Sequence, residues 1–277
     1  MKTRILTSIA FAALGLPILI FSQYIIYPIG VAFFALIAMY EMMGVTGFRK
    51  RPGVFIPAYL TAAALPFAVY FLKGERITEL AVFVFLLFFA MLLYLFGYSV
   101  VKKGKVKFAD LSAHYMTTLY IIVSFVSLTL IRYITNGGYY FVMVFLASWV
   151  CDVFAYFVGM AIGKHKLIPE VSPKKTIEGA IGGVVCTTLA FVLYGYIITL
   201  INDAITPNYL ILAILGFVLS IVAQFGDLIA SLIKREHGIK DYGRLFPGHG
   251  GVLDRFDSIL AVSPVLLAIC LFFPPFT

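Results

Sequence analysis

The chain has 277 residues, of which 62% are hydrophobic and only 12% charged. Soluble globular proteins carry about 25% charged residues, so half that share excludes an ordinary soluble domain and points to the membrane class. The formal charge of +8 admits nucleic acid, anionic lipid or anionic small substrates as partners, and its placement must choose among them.

Apolar runs predict nine transmembrane helices, at roughly 5–21, 25–43, 54–72, 78–98, 111–131, 138–162, 179–201, 208–233 and 257–275. Each is long enough to cross about 30 Å of hydrocarbon at about 1.5 Å per residue. Met1-Lys2-Thr3-Arg4 before the first run imitates a signal peptide. No small-residue cleavage site follows and more spans come after, so the run is expected to be the first helix. Turn residues such as Arg51-Pro52-Gly53 and Asn136-Gly137-Gly138 separate the spans. The absence of an internal repeat weighs against the paired-repeat design of many transporters. The expectation is one all-α polytopic domain over 1–277.

With the N-terminus in the cytoplasm and nine alternating spans, all but Lys73, Arg76 and Arg132 of the 21 basic residues fall inside. This positive-inside asymmetry supports both the count and the orientation. It turns the basic excess toward anionic headgroups and nucleotides on the cytoplasmic side, rather than toward nucleic acid. Cys151, Cys186 and Cys270 lie inside apolar runs without metal-ligand spacing, against structural zinc or a disulfide framework.

Three of the acidic residues within spans bear on function. Glu41, near the inner end of the second, is expected to reach interfacial water. Asp152 lies deeper, where a lone carboxylate costs a few kcal/mol and needs a partner or a purpose. Its helical face continues through Tyr156, Gly159 and Gly163, small enough for close packing or for a polar cavity. Asp227 belongs to a stripe with Gln224, Ser231 and Lys234 that descends to the cytoplasm. That stripe reads as the membrane-side wall of a site, against the plainer reading of an Asp227–Lys234 structural pair.

The loop between the sixth and seventh spans carries Ser172, Lys174, Lys175, Thr176 and Glu178. Ser172 or Thr176 can cap the following helix, with Glu178 in its first turn. Hydroxyls interleaved with adjacent lysines at a helix start suit a phosphate chain; a generic basic loop is the alternative. Lys102, Lys103, Lys105 and Lys107 lack such interleaving and read as a membrane anchor, and His114 reads as a hydrogen-bonded helix residue.

The most polar stretch, Ser231 to Ser258, contains Lys234, Arg235, Lys240, Asp241, Arg255 and glycines at 238, 243, 248, 250 and 251. Gly248, Gly250 and Gly251 around His249 let backbone N–H groups approach an anion. Asp254 and Asp257, one helical turn apart, could join Asp227 in holding one or two Mg²⁺ ions through oxygen. Equally, Asp254 could cap the last span and Asp257 complement its dipole.

This run, with Lys234-Arg235, Lys240-Asp241, Pro247-Gly248-His249-Gly250-Gly251 and Asp254-Arg255-x-Asp257, resembles the signature of the phosphatidate cytidylyltransferases. Ser172-Pro173-Lys174-Lys175-Thr176-x-Glu178-Gly179 and Asp152-x-x-Ala155-Tyr156 look like the family's upstream blocks. The likeness covers about the C-terminal half; residues 1–135 resemble the family only as a run of spans, and Tyr242 and Arg244 depart from its usual choices. It implies an inner-membrane enzyme with catalytic helices in 136–277 and a cytoplasmic polar site. The implied reaction takes CTP and phosphatidate to CDP-diacylglycerol and pyrophosphate with Mg²⁺, as one or two divalent cations or a mixed cation pair. A homodimer stays open. On this reading Asp227, Asp254 and Asp257 hold metal, while Lys174, Lys175, Lys234 and Arg235 neutralise phosphate. Arg255 and His249 position it, Ser172, Thr176, Lys240 and the glycines bind substrate, and Asp152, Tyr156, Glu178, Ser231 and Asp241 support. A CDP-archaeol synthase or polyprenol kinase is the enzymatic alternative, and an ion-coupled transporter the non-enzymatic one.

Overall fold

The computed structural model describes residues 18, 20–73, 76–246, 248 and 250–277. Among these, eight helices are long and apolar enough to cross a membrane. The first expected span, 5–21, lies almost wholly outside the described residues. The chain divides into two compact units, one running through Tyr133 and including Asp241–Arg255, the other comprising Ile134–Lys240 and Phe256–Thr277.

The first unit contains α1 (Ile26–Val45), a 3-10 turn at Phe48–Lys50, α2 (Pro52–Leu72), α3 (Ile77–Val101) and α4 (Phe108–Tyr133). Pro52 opens α2 at a position where its missing N–H costs nothing. The hydroxyl of Tyr27 on α1 donates to the Leu128 carbonyl of α4 at 2.8 Å, satisfying a polar group in an apolar core. His114 is buried against the Phe48 ring, with 4.8 Å between centroids.

Glu41 departs from expectation. It is only 4% exposed, and its carboxylate accepts from Val252 N at 3.0 Å and Leu253 N at 2.9 Å. It therefore closes the N-terminus of α9 (Leu253–Phe272), where unpaired amides and the helix dipole both favour an anion. A Cβ at Gly243 or Gly251 would collide with this carboxylate, so the loop can approach Glu41 only as glycine.

The second unit begins with α5 (Gly137–Phe145), which passes through a π-helical turn at Leu146–Val150 into α6 (Cys151–Ile162). A short hairpin then interrupts the otherwise helical chain. β1 (Lys166–Ile168) and β2 (Ser172–Thr176) form an antiparallel hairpin, pairing Lys166 with Thr176 and Ile168 with Ser172. Of the two expected caps, Thr176 is the one used: its Oγ1 accepts from Gly179 N at 3.2 Å and starts α7 (Ile177–Ile201). Ser172 lies in β2 instead.

Small residues let these helices cross closely. A Cβ on Gly179 would lie 2.5 Å from the Ala155 carbonyl, and one on Gly183 3.2 Å from the Ala155 Cβ, so α6 and α7 meet at near-backbone distance. Asn208 caps α8 (Tyr209–Glu236) by accepting from Ile211 N. Gly226 on α8 faces the Asp257 carbonyl, where an added Cβ would sit at 2.8 Å. At the far end Gly238 adopts φ +64°, Gly238 N donates to Arg235 O and Ile239 N to Lys234 O, a Schellman stop. Lys234 and Arg235 thus occupy the last turn, where positive charge complements the dipole.

Replacing Glu41 by Ala leaves two buried amides unpaired, at about 1–3 kcal/mol each. Thermal unfolding in detergent should show a Tm several degrees below wild type for Glu41→Ala and a smaller loss for Glu41→Gln. An unchanged Tm in both would contradict the clamp.

Candidate active site

Within the second unit, a cavity of about 360 Å³ collects residues from both hairpin strands and from α6, α7 and α8. Asp152 and Tyr156 come from α6, Lys174, Lys175 and Thr176 from β2, and Gln224 and Asp227 from α8. The hairpin explains how a loop lysine reaches a membrane helix. Its second strand ends directly at the Thr176 cap, so Lys175 has a fixed backbone and a defined direction.

Lys175 Nζ lies 2.5 Å from Asp227 Oδ2, each side chain about a quarter exposed (23% and 25%). An ion pair this sheltered compensates two charges that would each be costly alone. Asp257, half-buried on α9, lies within electrostatic reach of Asp227, Asp152 and Lys234. Asp152, Asp227 and Asp257 thus load one region with negative charge, and Lys175 and Lys234 offset it. Asp227 pairs with Lys175, not with the Lys234 of the plainer reading.

Supporting contacts hold the hairpin in place. Glu178 accepts from Lys164 N at 3.1 Å and His165 N at 3.3 Å, and meets His165 Nδ1 at 2.6 Å. Arg235, exposed on α8, donates from Nε to the Val171 carbonyl at 3.4 Å, tying the helix end to the hairpin turn. Gln224 Nε2 donates to the Ala180 carbonyl at 3.1 Å and points toward Cys151 Sγ at 3.4 Å. Ser231 is buried, Lys234 and Ser172 are half-buried, and Lys174, Lys240 and Asp152 are exposed.

The glycine-rich loop belongs to the first unit. Asp254 is 8% exposed, and its Oδ2 accepts from Tyr242 N at 2.8 Å and Gly251 N at 2.9 Å. Gly248 and Gly250 take φ +81° and +84°, and a Cβ on Gly250 would press on the Asp254 carboxylate at 2.7 Å. Phe246 N donates to the Gly250 carbonyl at 2.9 Å and closes the turn. Tyr242 is buried, whereas Asp241, Arg244, Arg255 and Gly248 are exposed. His249 and Pro247 lie outside the described residues.

Among the described residues, no three or more His, Cys, Asp or Glu side chains group as a ready cation site. Of the three carboxylates expected to hold metal, Asp227 and Asp257 belong to the second unit, while Asp254 belongs to the first and its Oδ2 accepts from two backbone amides. The structural weight of Glu41 was missed by the sequence reading. Glu41 could have been found by asking what a span carboxylate bonds to. Gln224, on the Asp227 stripe, does line the cavity.

The chain matches the model of the cytidylyltransferase family over residues 2–273. The match extends through the N-terminal helices, where no signature was recognised. A phosphatidate cytidylyltransferase of Staphylococcus haemolyticus is 34% identical over 268 residues, covering 96% of this chain and 97% of that protein. The proteins of the same name from Staphylococcus saprophyticus and Staphylococcus aureus are each 35% identical, again with 96% and 97% coverage. This chain is a helical membrane protein belonging to the cytidylyltransferase family.

Proposed function

We propose that the protein transfers the cytidylyl group of CTP to phosphatidate, giving CDP-diacylglycerol and pyrophosphate. The observation that carries this reading is the cavity in which Lys174 and Lys175 stand beside Asp227 and Asp152. Its chemistry suits a polyanion, and the full-length relatives bear the name of that activity.

The reaction needs little acid–base help. An oxygen of the phosphatidate phosphate attacks the α-phosphorus of CTP. The bond from that phosphorus to the bridging oxygen of the β-phosphate breaks, and pyrophosphate leaves. The nucleophile is already ionised near neutral pH, so the barrier lies in bringing two polyanions together and stabilising the departing charge. Lys175 meets that charge from within the cavity, its ion pair with Asp227 giving way to phosphate oxygens. Lys174 and Lys234 add positive charge around it, and Arg235 holds the hairpin against α8. Asp254 organises the glycine loop through its two amide bonds, while Glu41 secures the helix that carries Asp257 one turn further on.

Asp227 and Asp257 offer the carboxylate oxygens that Mg²⁺ prefers, and one or two carboxylates plus substrate phosphates and water form its usual shell. Bound there, Mg²⁺ supplies positive charge against the triphosphate and the leaving pyrophosphate. The lysine-rich loops face the cytoplasm of a plasma membrane by the positive-inside rule, where CTP is available. Phosphatidate then enters from the bilayer without leaving lipid.

Purified protein given labelled CTP, Mg²⁺ and phosphatidate should form CDP-lipid and pyrophosphate in equal amounts, and chelation should stop both. Phosphorylated lipid plus CDP, or solute flux in proteoliposomes without CTP turnover, would overturn the reading. For individual residues, folded Asp227→Asn should lose about 10²-fold or more in kcat. Lys175→Ala should raise the KM for CTP about tenfold. Wild-type kinetics in either variant would contradict its assigned role.

A further inference from the structure

Beside the polar cavity, in the same unit, lies a second and larger one of about 630 Å³. Its long walls are one face of α7, marked by Ile181, Val185 and Leu189, and one face of α8, marked by Phe217, Ile221 and Phe225. Both sets recur every four residues, so each is a stripe along its helix. From Ala180 to Leu189 the α7 wall runs about 14 Å at 1.5 Å per residue. Apart from Thr188 and Gln224, apolar side chains line it, and Thr188 turns its hydroxyl back to the Val184 carbonyl at 2.8 Å.

The two cavities share a boundary. Leu167, Ala180 and Gln224 line both of them. On β1, Leu167 and Ile168 border the apolar groove, while on β2 the paired strand brings Lys174 and Lys175 to the polar cavity. A single molecule occupying both spaces must therefore be anionic at one end and a long hydrocarbon at the other. CTP has no hydrocarbon part. An ordinary neutral lipid could fill the groove, but nothing in it would answer the lysines next door.

We propose that the α7–α8 groove is the acyl-chain subsite for the phosphatidate substrate, whose phosphate lies in the adjoining lysine cavity. The assignment rests on the reading of the polar cavity given above. Because lipid tails already surround the protein, the groove gains little from removing hydrocarbon from water. Its selectivity comes from close packing against the chain, which a bilayer packs less tightly. Filling the groove should therefore penalise long-chain substrates and spare short ones whose hydrocarbon barely enters it.

The test compares dioleoyl with dihexanoyl phosphatidate in the same detergent micelles, using wild type, Val184→Trp and Ile221→Trp. The tryptophans, one on each wall, should raise the KM for the dioleoyl lipid about tenfold. The KM values for dihexanoyl phosphatidate and for CTP should stay within about twofold of wild type. Equal loss on both lipids, or no loss on either, would overturn the groove assignment while leaving the enzymatic reading intact. A wild-type protein that converts neither lipid would sink the enzymatic reading, and the groove with it. Should both variants fail to fold, photolysis of phosphatidate with a chain-borne diazirine on wild-type protein decides the question. Adducts on groove-lining residues of α7 or α8 support the subsite, and adducts confined to other helices overturn it.

Discussion

A carboxylate inside a membrane-spanning helix is tolerated only where a cation or a set of backbone amides answers its charge. The acidic residues of this protein meet that constraint in different ways, and the differences sort them by role. Glu41 and Asp254 are almost fully buried and accept pairs of backbone N–H groups, so their charge is committed to holding a loop and a helix start. Asp227 is answered by a side chain, Lys175, which can exchange its partner. Asp257 stands where the charges of Asp227, Asp152 and Lys234 converge. Glu41 and Asp254 are thus held by backbone, whereas Asp227 is balanced by a side chain.

That arrangement needs backbones to come closer than ordinary side chains allow. Gly179 and Gly183 let α7 press on α6, and Gly226 lets α8 press on the stretch of α9 that carries Asp257. In hydrocarbon such contacts replace the hydrophobic effect as the force joining helices. The hairpin adds what helices alone cannot. Its edge backbone carries Lys174 and Lys175 into the cavity, and Glu178 and Arg235 fasten it from both sides. Cations therefore arrive from the aqueous loop while carboxylates arrive from the spans, and the cavity is where the two meet.

Much of this was legible in the sequence, for physical reasons. Runs of apolar residues announce spans by length alone. The stripe through Gln224, Asp227, Ser231 and Lys234 advances in steps of three and four, and its Gln224 and Asp227 do line the polar cavity. Thr176 was a named cap, with Ser172, because a threonine hydroxyl at a helix start accepts from an orphan backbone N–H. What escaped the reading depends on distance or on weak local pattern. Glu41 meets amides 211 and 212 residues later, which no local period encodes. Ser172-Pro173-Lys174-Lys175-Thr176 lacks the alternation that marks a strand, so the hairpin was hidden. The π turn at Leu146–Val150 and the pairing of Asp227 with Lys175 rather than Lys234 likewise follow from packing, not from composition.

The central claim is that Asp227 and Asp257 hold a divalent cation together with the CTP phosphates. Manganese binding followed by electron paramagnetic resonance, with a non-hydrolysable CTP analogue present, addresses it without relying on turnover. Wild-type protein should bind Mn²⁺ tightly only with the analogue, because substrate oxygens complete the shell. Asp227→Asn and Asp257→Asn should lose that binding, while Asp110→Asn, altering an exposed acid in the first turn of α4, should retain it. Unaltered nucleotide-dependent Mn²⁺ binding in the folded Asp227 and Asp257 variants would contradict the account.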